Sequence, residues 1–341
     1  MRTRRRALLD AILEDMSEAP ASALRRPAQR THLWVIAVGA CALLVLVIFE
    51  FFVRSHTGQR IEHAMFHAAE HPRAAFEDGG IAPNWLLNLS IAVPALFFVI
   101  ITLVRQRFIA AGIAVVTFVA ANITTQLLKS TFLDRPDLSS ENGVPWLMNS
   151  MPSGHTTLAA GAAVAVFLVS GPRQRPLLGF LVAFFATAVG AFTFIETWHR
   201  PSDIISAYLV VGAWGLIGGW LIMRAEERWN TVTVENDTSP GGAAGLAWFL
   251  GVILTGASAL CFLFAGGPDG VAAVTDERQT TSTWHWVAGI LLSVGPGFLI
   301  AGAGINFFDS ETGRRMRGHP LPAPETLKYP VPPQFSHLYE V

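Results

Sequence analysis

Charge is what this sequence has least of. Asp, Glu, Lys and Arg make up 14% of its 341 residues, where soluble domains carry roughly 25%. The shortage is concentrated, because whole stretches of span length hold no charge at all, and that excludes an ordinary soluble fold. A strong net charge is also missing. At −1 the chain has no field that would gather nucleic acid. Its one basic cluster, Arg2, Arg4, Arg5 and Arg6, lies before a membrane span and reads as a signal that keeps the terminus cytoplasmic. Cysteine is limited to Cys41 and Cys261, both within apolar runs where a thiol behaves as a small hydrophobe. That excludes a disulfide framework and a cysteine metal centre. No cleavable leader is expected, since a polar stretch precedes a first apolar run that is already span-length.

In place of charge there is apolar sequence, 52% of the chain. Its runs predict eight spans, at about 32–53, 85–104, 108–128, 153–170, 176–196, 203–223, 243–266 and 284–306. A run of about 20 residues crosses the hydrocarbon as a helix, whereas a barrel strand alternates over about 10. The expected fold class is therefore all-α, a polytopic membrane helix bundle. Lys and Arg set the orientation. With the N-terminus inside, 17 of the 24 fall on inner segments, which favours cytoplasmic termini. The expected organisation is an N-terminal tail (1–30), a six-span core (31–223), a linker (224–242), two additional spans (243–306) and a Pro-rich tail (307–341).

Three polar clusters interrupt this apolar background at span ends, all on the expected outer side. The first runs from Lys129 to Asp137 and includes Arg135-Pro136. The second is Asn149-Ser150-Met151-Pro152-Ser153-Gly154-His155. The third is Trp198-His199-Arg200-Pro201-Ser202-Asp203. Ionisable groups at membrane depth are costly and usually functional. Lys129 and Arg135 offer two cations for a phosphate. Pro152-Ser153-Gly154 opens a helix whose free N–H groups form an anion site, and Gly154 permits close approach to the backbone. His155 can protonate a leaving alkoxide. His199 and Asp203, four apart, come within reach on one helical face if the helix starts near His199. The carboxylate would then fix one imidazole tautomer and leave the other nitrogen as a nucleophile.

These blocks resemble the type 2 phosphatidic acid phosphatase superfamily. Its pattern is Lys, six residues, Arg-Pro, then Pro-Ser-Gly-His, then Ser-Arg, five residues, His, three residues, Asp. The resemblance covers about residues 31–223. It implies that Lys129, Arg135, Ser153 and Gly154 bind the phosphate and that His155 is the general acid. It implies His199 as the nucleophile, forming a phosphohistidine, and Asp203 as its orienter. It further implies no metal cofactor and a lipid phosphate or diphosphate as substrate, met at the outer face of a bacterial plasma membrane. The sequence departs from the pattern twice. Five residues, not six, separate Lys129 from Arg135, and the Ser-Arg pair falls at Phe192-Thr193. Arg200 is the candidate replacement for the lost cation, or an interface arginine. A phosphotransferase on the same scaffold, or a non-catalytic membrane protein with a degenerate site, are the competing readings.

One further pattern is His63, His67 and His71. Its spacing stacks three imidazoles on one helical face, as a metal or pH-responsive site or as the polar face of a surface helix.

Overall fold

The computed structural model describes residues 30–78, 83–136, 138, 150–226, 229–233, 242–273 and 282–315. It is an all-α polytopic bundle. The helices are α1 (Thr31–Ile48, prolonged by a π-helical turn to Val53), α2 (His56–Asp78), α3 (Pro83–Arg105), α4 (Phe108–Leu127, prolonged by a π-helical turn to Phe132) and α5 (Gly154–Val169). They continue with α6 (Arg175–Ile195), α7 (Pro201–Ala225), α8 (Ala243–Phe264), α9 (Gly267–Ala273) and α10 (Thr283–Ser310). Two three-residue strands, β1 (Thr231–Thr233) and β2 (Gly313–Arg315), pair in parallel. Seven helices are long and apolar enough to cross a membrane: α1, α3, α4, α6, α7, α8 and α10.

The fourth expected span, 153–170, is the exception. Its helix α5 has only 16 residues, short of the roughly 20 that cross the hydrocarbon. It is also the most enclosed, packing on α3, α4, α6 and α7. Ala159, Ala160, Gly161, Ala162 and Ala163 are all buried, and small residues let neighbouring backbones come close. A methyl group at Gly161 would already meet Phe118 at 3.1 Å. The same logic joins the last two long helices: a Cβ at Gly251 would clash with Leu299, and one at Gly295 with Thr255. The α8–α10 pair leans on α6 and α7.

Alternating direction sorts the helix termini into two layers. One holds the C-termini of α1, α4, α6 and α8 and the N-termini of α5, α7 and α10, with α2 lying against α6, α9 and α10. The opposite layer is a polar knot. Arg107 pairs with Glu226 at 2.8 Å. Arg175 donates to Asn230, Ser170 O and Trp229 O and stacks 3.5 Å from the Trp229 ring centre. Trp34 packs edge-on against Phe307 and Phe308, while Arg30 pairs with Glu311.

This knot corrects two expected boundaries. The last helix runs to Ser310 rather than 306, and Gly313–Arg315 of the expected tail pairs with Thr231–Thr233 of the expected linker. Hydropathy falls off at Asn306, but Phe307 and Phe308 are held by Trp34, and Thr312 returns its hydroxyl to Phe308 O. These contacts satisfy groups that a free helix end leaves open.

Candidate active site

The three polar clusters meet in the layer that contains α2. The second is built by helix capping. Ser153 is the N-cap of α5: its hydroxyl oxygen accepts the Thr156 N–H at 3.2 Å and donates to Thr156 Oγ1 at 2.9 Å. Its backbone N–H donates to Asp203 O at 2.9 Å, so the Pro-Ser-Gly-His loop is tied to the start of α7. His155 follows in the first turn. A Cβ at Gly154 would find only Gln126 Nε2, at 3.5 Å, which leaves that stretch of backbone approachable.

The third cluster differs locally from the sequence expectation. The helix starts at Pro201, a favoured first position, with Arg200 as N-cap. His199 therefore precedes the helix, and the pair with Asp203 comes from the entry turn rather than one helical face. Thr197 turns the chain with a left-handed φ of +55°, a strained conformation for a β-branched residue. Thr193 O then accepts the N–H groups of Trp198 and His199. Asp203 Oδ2 accepts the Arg200 N–H at 2.9 Å, as the N3 residue of a capping box does, and accepts the Ser150 hydroxyl. His199 Nδ1 lies 3.5 Å from the same oxygen. That is an ion-pair distance, longer than a hydrogen bond.

The His155 and His199 rings meet edge-on with centroids 5.7 Å apart and an interplanar angle of 64°, and Trp198 backs His155 at 5.1 Å. Lys129, on the π-helical turn after α4, acts on the His155 imidazole electrostatically. Arg135 is buried, with Nη2 3.7 Å from Glu62 Oε2. Arg200 donates to Ser150 Oγ at 3.3 Å and lies 5.1 Å from the Phe66 ring centre. The structure thus brings Lys129, Arg135, Ser153, Gly154, His155, His199, Arg200 and Asp203 to one end of the bundle. Arg200 sits beside Ser150, on the Asp203 side of His199. The position of the family's third-block arginine is filled by Thr193, buried and donating to Gly190 O at 2.8 Å.

Four contributors escape sequence reasoning. Ser150 is one. The other three lie on α2, where Gln59 donates to Pro136 O at 2.9 Å, Glu62 accepts the Ser202 N–H at 2.9 Å, and Phe66 underlies Arg200. A signal existed: Glu62, Met65 and Ala69 share a helical face, and all three are buried. Burial first, then the Asp203 carboxylate, push the Glu62 carboxyl up to about 6, against the pull of Arg135, Arg200 and the Ser202 hydrogen bond. Burial and the neighbouring Arg200 push the Arg135 guanidinium below its usual value, opposed by Glu62 and Asp203.

The histidine face on α2 is a helix, as its spacing predicts. His63 and His67 stack at 5.7 Å, and His67 Nδ1 lies 2.6 Å from Glu70. The His71 side chain lies outside the described residues. Burial first, then His67, Arg200 and Arg135, hold the His63 imidazole down to about 3, so it stays neutral across physiological pH. Among the described residues no group of three or more His, Cys, Asp or Glu is placed to hold a metal.

Fold and site together define a polytopic α-helical protein with a histidine pair and several cations gathered at one end. Residues 110–229 match the model of the PAP2 superfamily, the type 2 phosphatidic acid phosphatase superfamily that the three blocks resemble. That segment runs from α4 through α7, and the match supports phosphatase-type chemistry. No curated protein and no solved structure matches the chain.

Proposed function

We propose that the protein hydrolyses a lipid phosphate or diphosphate through a phosphohistidine on His199, without a metal. The observation that carries this reading is the adjacent, edge-on histidine pair, ring centroids 5.7 Å apart, with Asp203 beside one member only. Asp203 at Nδ1 selects the tautomer that leaves Nε2 of His199 as the nucleophile. Nε2 attacks the terminal phosphorus, the bond to the leaving oxygen breaks (the lipid's own oxygen in a monophosphate, the bridging oxygen in a diphosphate), and His155 gives that oxygen its proton. Water then enters from the vacated side, His155 takes its proton, and the phosphorus–nitrogen bond breaks to release inorganic phosphate and restore both histidines.

The bound and developing negative charge is met by Lys129 and Arg135, by Arg200 at its edge, and by the α5 N-terminus with Gly154 and Ser153. In the free protein the Ser153 hydroxyl is engaged with Thr156, so its contact with phosphate requires that bond to be exchanged. Apolar helices around a polar site suit a substrate whose headgroup enters while its chains stay in the bilayer. Candidates are polyprenyl phosphates and diphosphates, phosphatidic acid and phosphatidylglycerol phosphate. The Lys and Arg excess on the opposite layer orients this site outward, with both termini cytoplasmic.

The test is phosphate release from this lipid panel in detergent with chelator present, together with acid-labile, base-stable trapping of labelled phosphate on the protein. Wild type should turn over at least one lipid and carry the label, and His199→Ala should do neither. Activity that survives in His199→Ala overturns the assigned nucleophile, transfer of label to an added alcohol identifies a phosphotransferase, and a protein that neither turns over nor labels is non-catalytic.

A further inference from the structure

Helix α2 lies outside the matched segment 110–229, yet it lays a completely buried carboxylate against the phosphate-binding cluster. Glu62 is 0% exposed. Burying a carboxylate is costly unless it is paired. Here Oε1 accepts the Ser202 N–H in the first turn of α7, where the helix dipole favours negative charge. Oε2 has no hydrogen bond among the described residues and stands 3.7 Å from Arg135 Nη2. Two neighbouring contacts repeat the pattern: Gln59 holds the carbonyl of Pro136, beside Arg135, and Phe66 holds the Arg200 guanidinium. Three α2 residues on successive turns thus each grip an element of the site.

Arg135 is the informative partner. Its Nη2 faces Glu62, but Nε and Nη1 are buried and find no acceptor among the described residues. Buried donors normally have partners, so two unsatisfied ones on a guanidinium that feels both Arg200 and Asp203 are groups left for a ligand. A carboxylate at Nη2 balances the repulsion between Arg135 and Arg200 and holds the guanidinium without using up those donors. Resting on the phosphatase reading above, we propose that Glu62 is a positioning residue of the phosphate site: its carboxylate bridges the Arg135 guanidinium to the helix turn that carries Asp203, making α2 a working wall of the active site.

The alternative is that Glu62 only fastens α2 to the bundle. Full-length protein in detergent separates the two, using Glu62→Gln, Arg135→Ala and the double variant. The glutamine keeps an oxygen for the Ser202 N–H and removes only the charge facing Arg135. Three readouts are taken: kcat and KM for the best lipid of the panel, the affinity for orthovanadate by calorimetry, and the thermal midpoint. Glu62→Gln is expected to lower kcat/KM about tenfold, mostly through KM, and to weaken vanadate by a similar factor. That is the size of coupling seen between contacting charges. In the Arg135→Ala background the same change is expected to cost less than about twofold, because the group being positioned is already gone. The thermal midpoint at neutral pH should not fall by more than a few degrees. Additive losses in the double variant, a kcat/KM and vanadate affinity equal to wild type, or a loss that tracks only a fallen thermal midpoint each overturn the proposal. A wild type that turns over no lipid defeats the phosphatase reading alone, provided it binds vanadate and Glu62→Gln binds it more weakly. A wild type that binds no vanadate defeats both.

Discussion

Nδ1 of His199 stands 3.5 Å from Oδ2 of Asp203, and that same oxygen caps the α7 entry turn through the Arg200 N–H. One carboxylate therefore meets two groups, an imidazole and a helix terminus. Substitutions at Asp203 should affect both.

Asp203→Asn should lower kcat by about 10³- to 10⁴-fold, because the amide no longer selects the tautomer that exposes Nε2. It should also cost about 1 kcal/mol of stability through the weakened cap. His199→Ala should abolish turnover while leaving the cap intact. Steady-state kinetics beside thermal melts in detergent resolve the two effects, and a severe activity loss in both variants, complete in His199→Ala, with a melting change only in Asp203→Asn is the expected pattern.

Glu62 supplies a pH dependence with a definite sign. Its carboxyl is raised from 4.5 to about 6 in the folded protein. The charged groups around it are Asp203 and Arg200 at the start of α7 and Arg135 after α4. A raised folded value means that the folded state holds the proton more tightly. Its stabilising contribution is therefore complete below pH 4.5 and lost as the pH rises through about 6, a change of roughly 2 kcal/mol. Catalysis should run the other way, since only the ionised form balances Arg135, giving a falling acid limb near pH 6. Melting and kcat/KM measured from pH 4 to 8 should show both slopes in wild type and neither in Glu62→Gln.

Helix contact beneath the site rests on Gly190. A Cβ there would stand 2.0 Å from Tyr208 Oη and 2.7 Å from Ile204 Cγ2, so α6 and α7 must part to admit it. Gly190→Ala should destabilise by about 1–3 kcal/mol and lower activity by moving the His199 turn. Gly256→Ala, with nothing within 4 Å, should leave melting and turnover unchanged. Equal behaviour of the two variants would contradict the close packing of α6 on α7.

The polar knot at the opposite end should matter for stability only. Arg175→Ala removes the cation that serves Asn230, Ser170 O and Trp229 O and should cost about 3 kcal/mol by leaving buried acceptors unpaired. Below its melting range the variant should keep the wild-type kcat, because α5, α6 and α7 separate it from His155 and His199. Melting curves and kcat at two temperatures check both halves.

The spans and the three polar blocks were legible in the sequence, for a simple reason. A chain that crosses hydrocarbon must satisfy its backbone internally, so long uncharged runs admit one structure, and ionisable residues at their ends stand out against them. Hydropathy was less informative where packing decides the outcome. It drew α5 as an ordinary span, although its alanines and glycine are spent on four neighbouring helices, and it stopped the last helix at 306, although Trp34 and Glu311 hold it further. Glu62 was not singled out by the sequence at all. Whether a carboxylate on an amphipathic helix faces water or an arginine depends on which face meets the bundle, and no local pattern records that. The sequence by itself determined the all-α membrane bundle and the positions of the three polar blocks at helix ends, since both follow from the solvent each stretch requires. Only the tertiary structure decided how the entry turn of α7 pairs His199 with Asp203, where Arg200 points, and that α2 closes the site, because those depend on contacts between segments far apart in the chain.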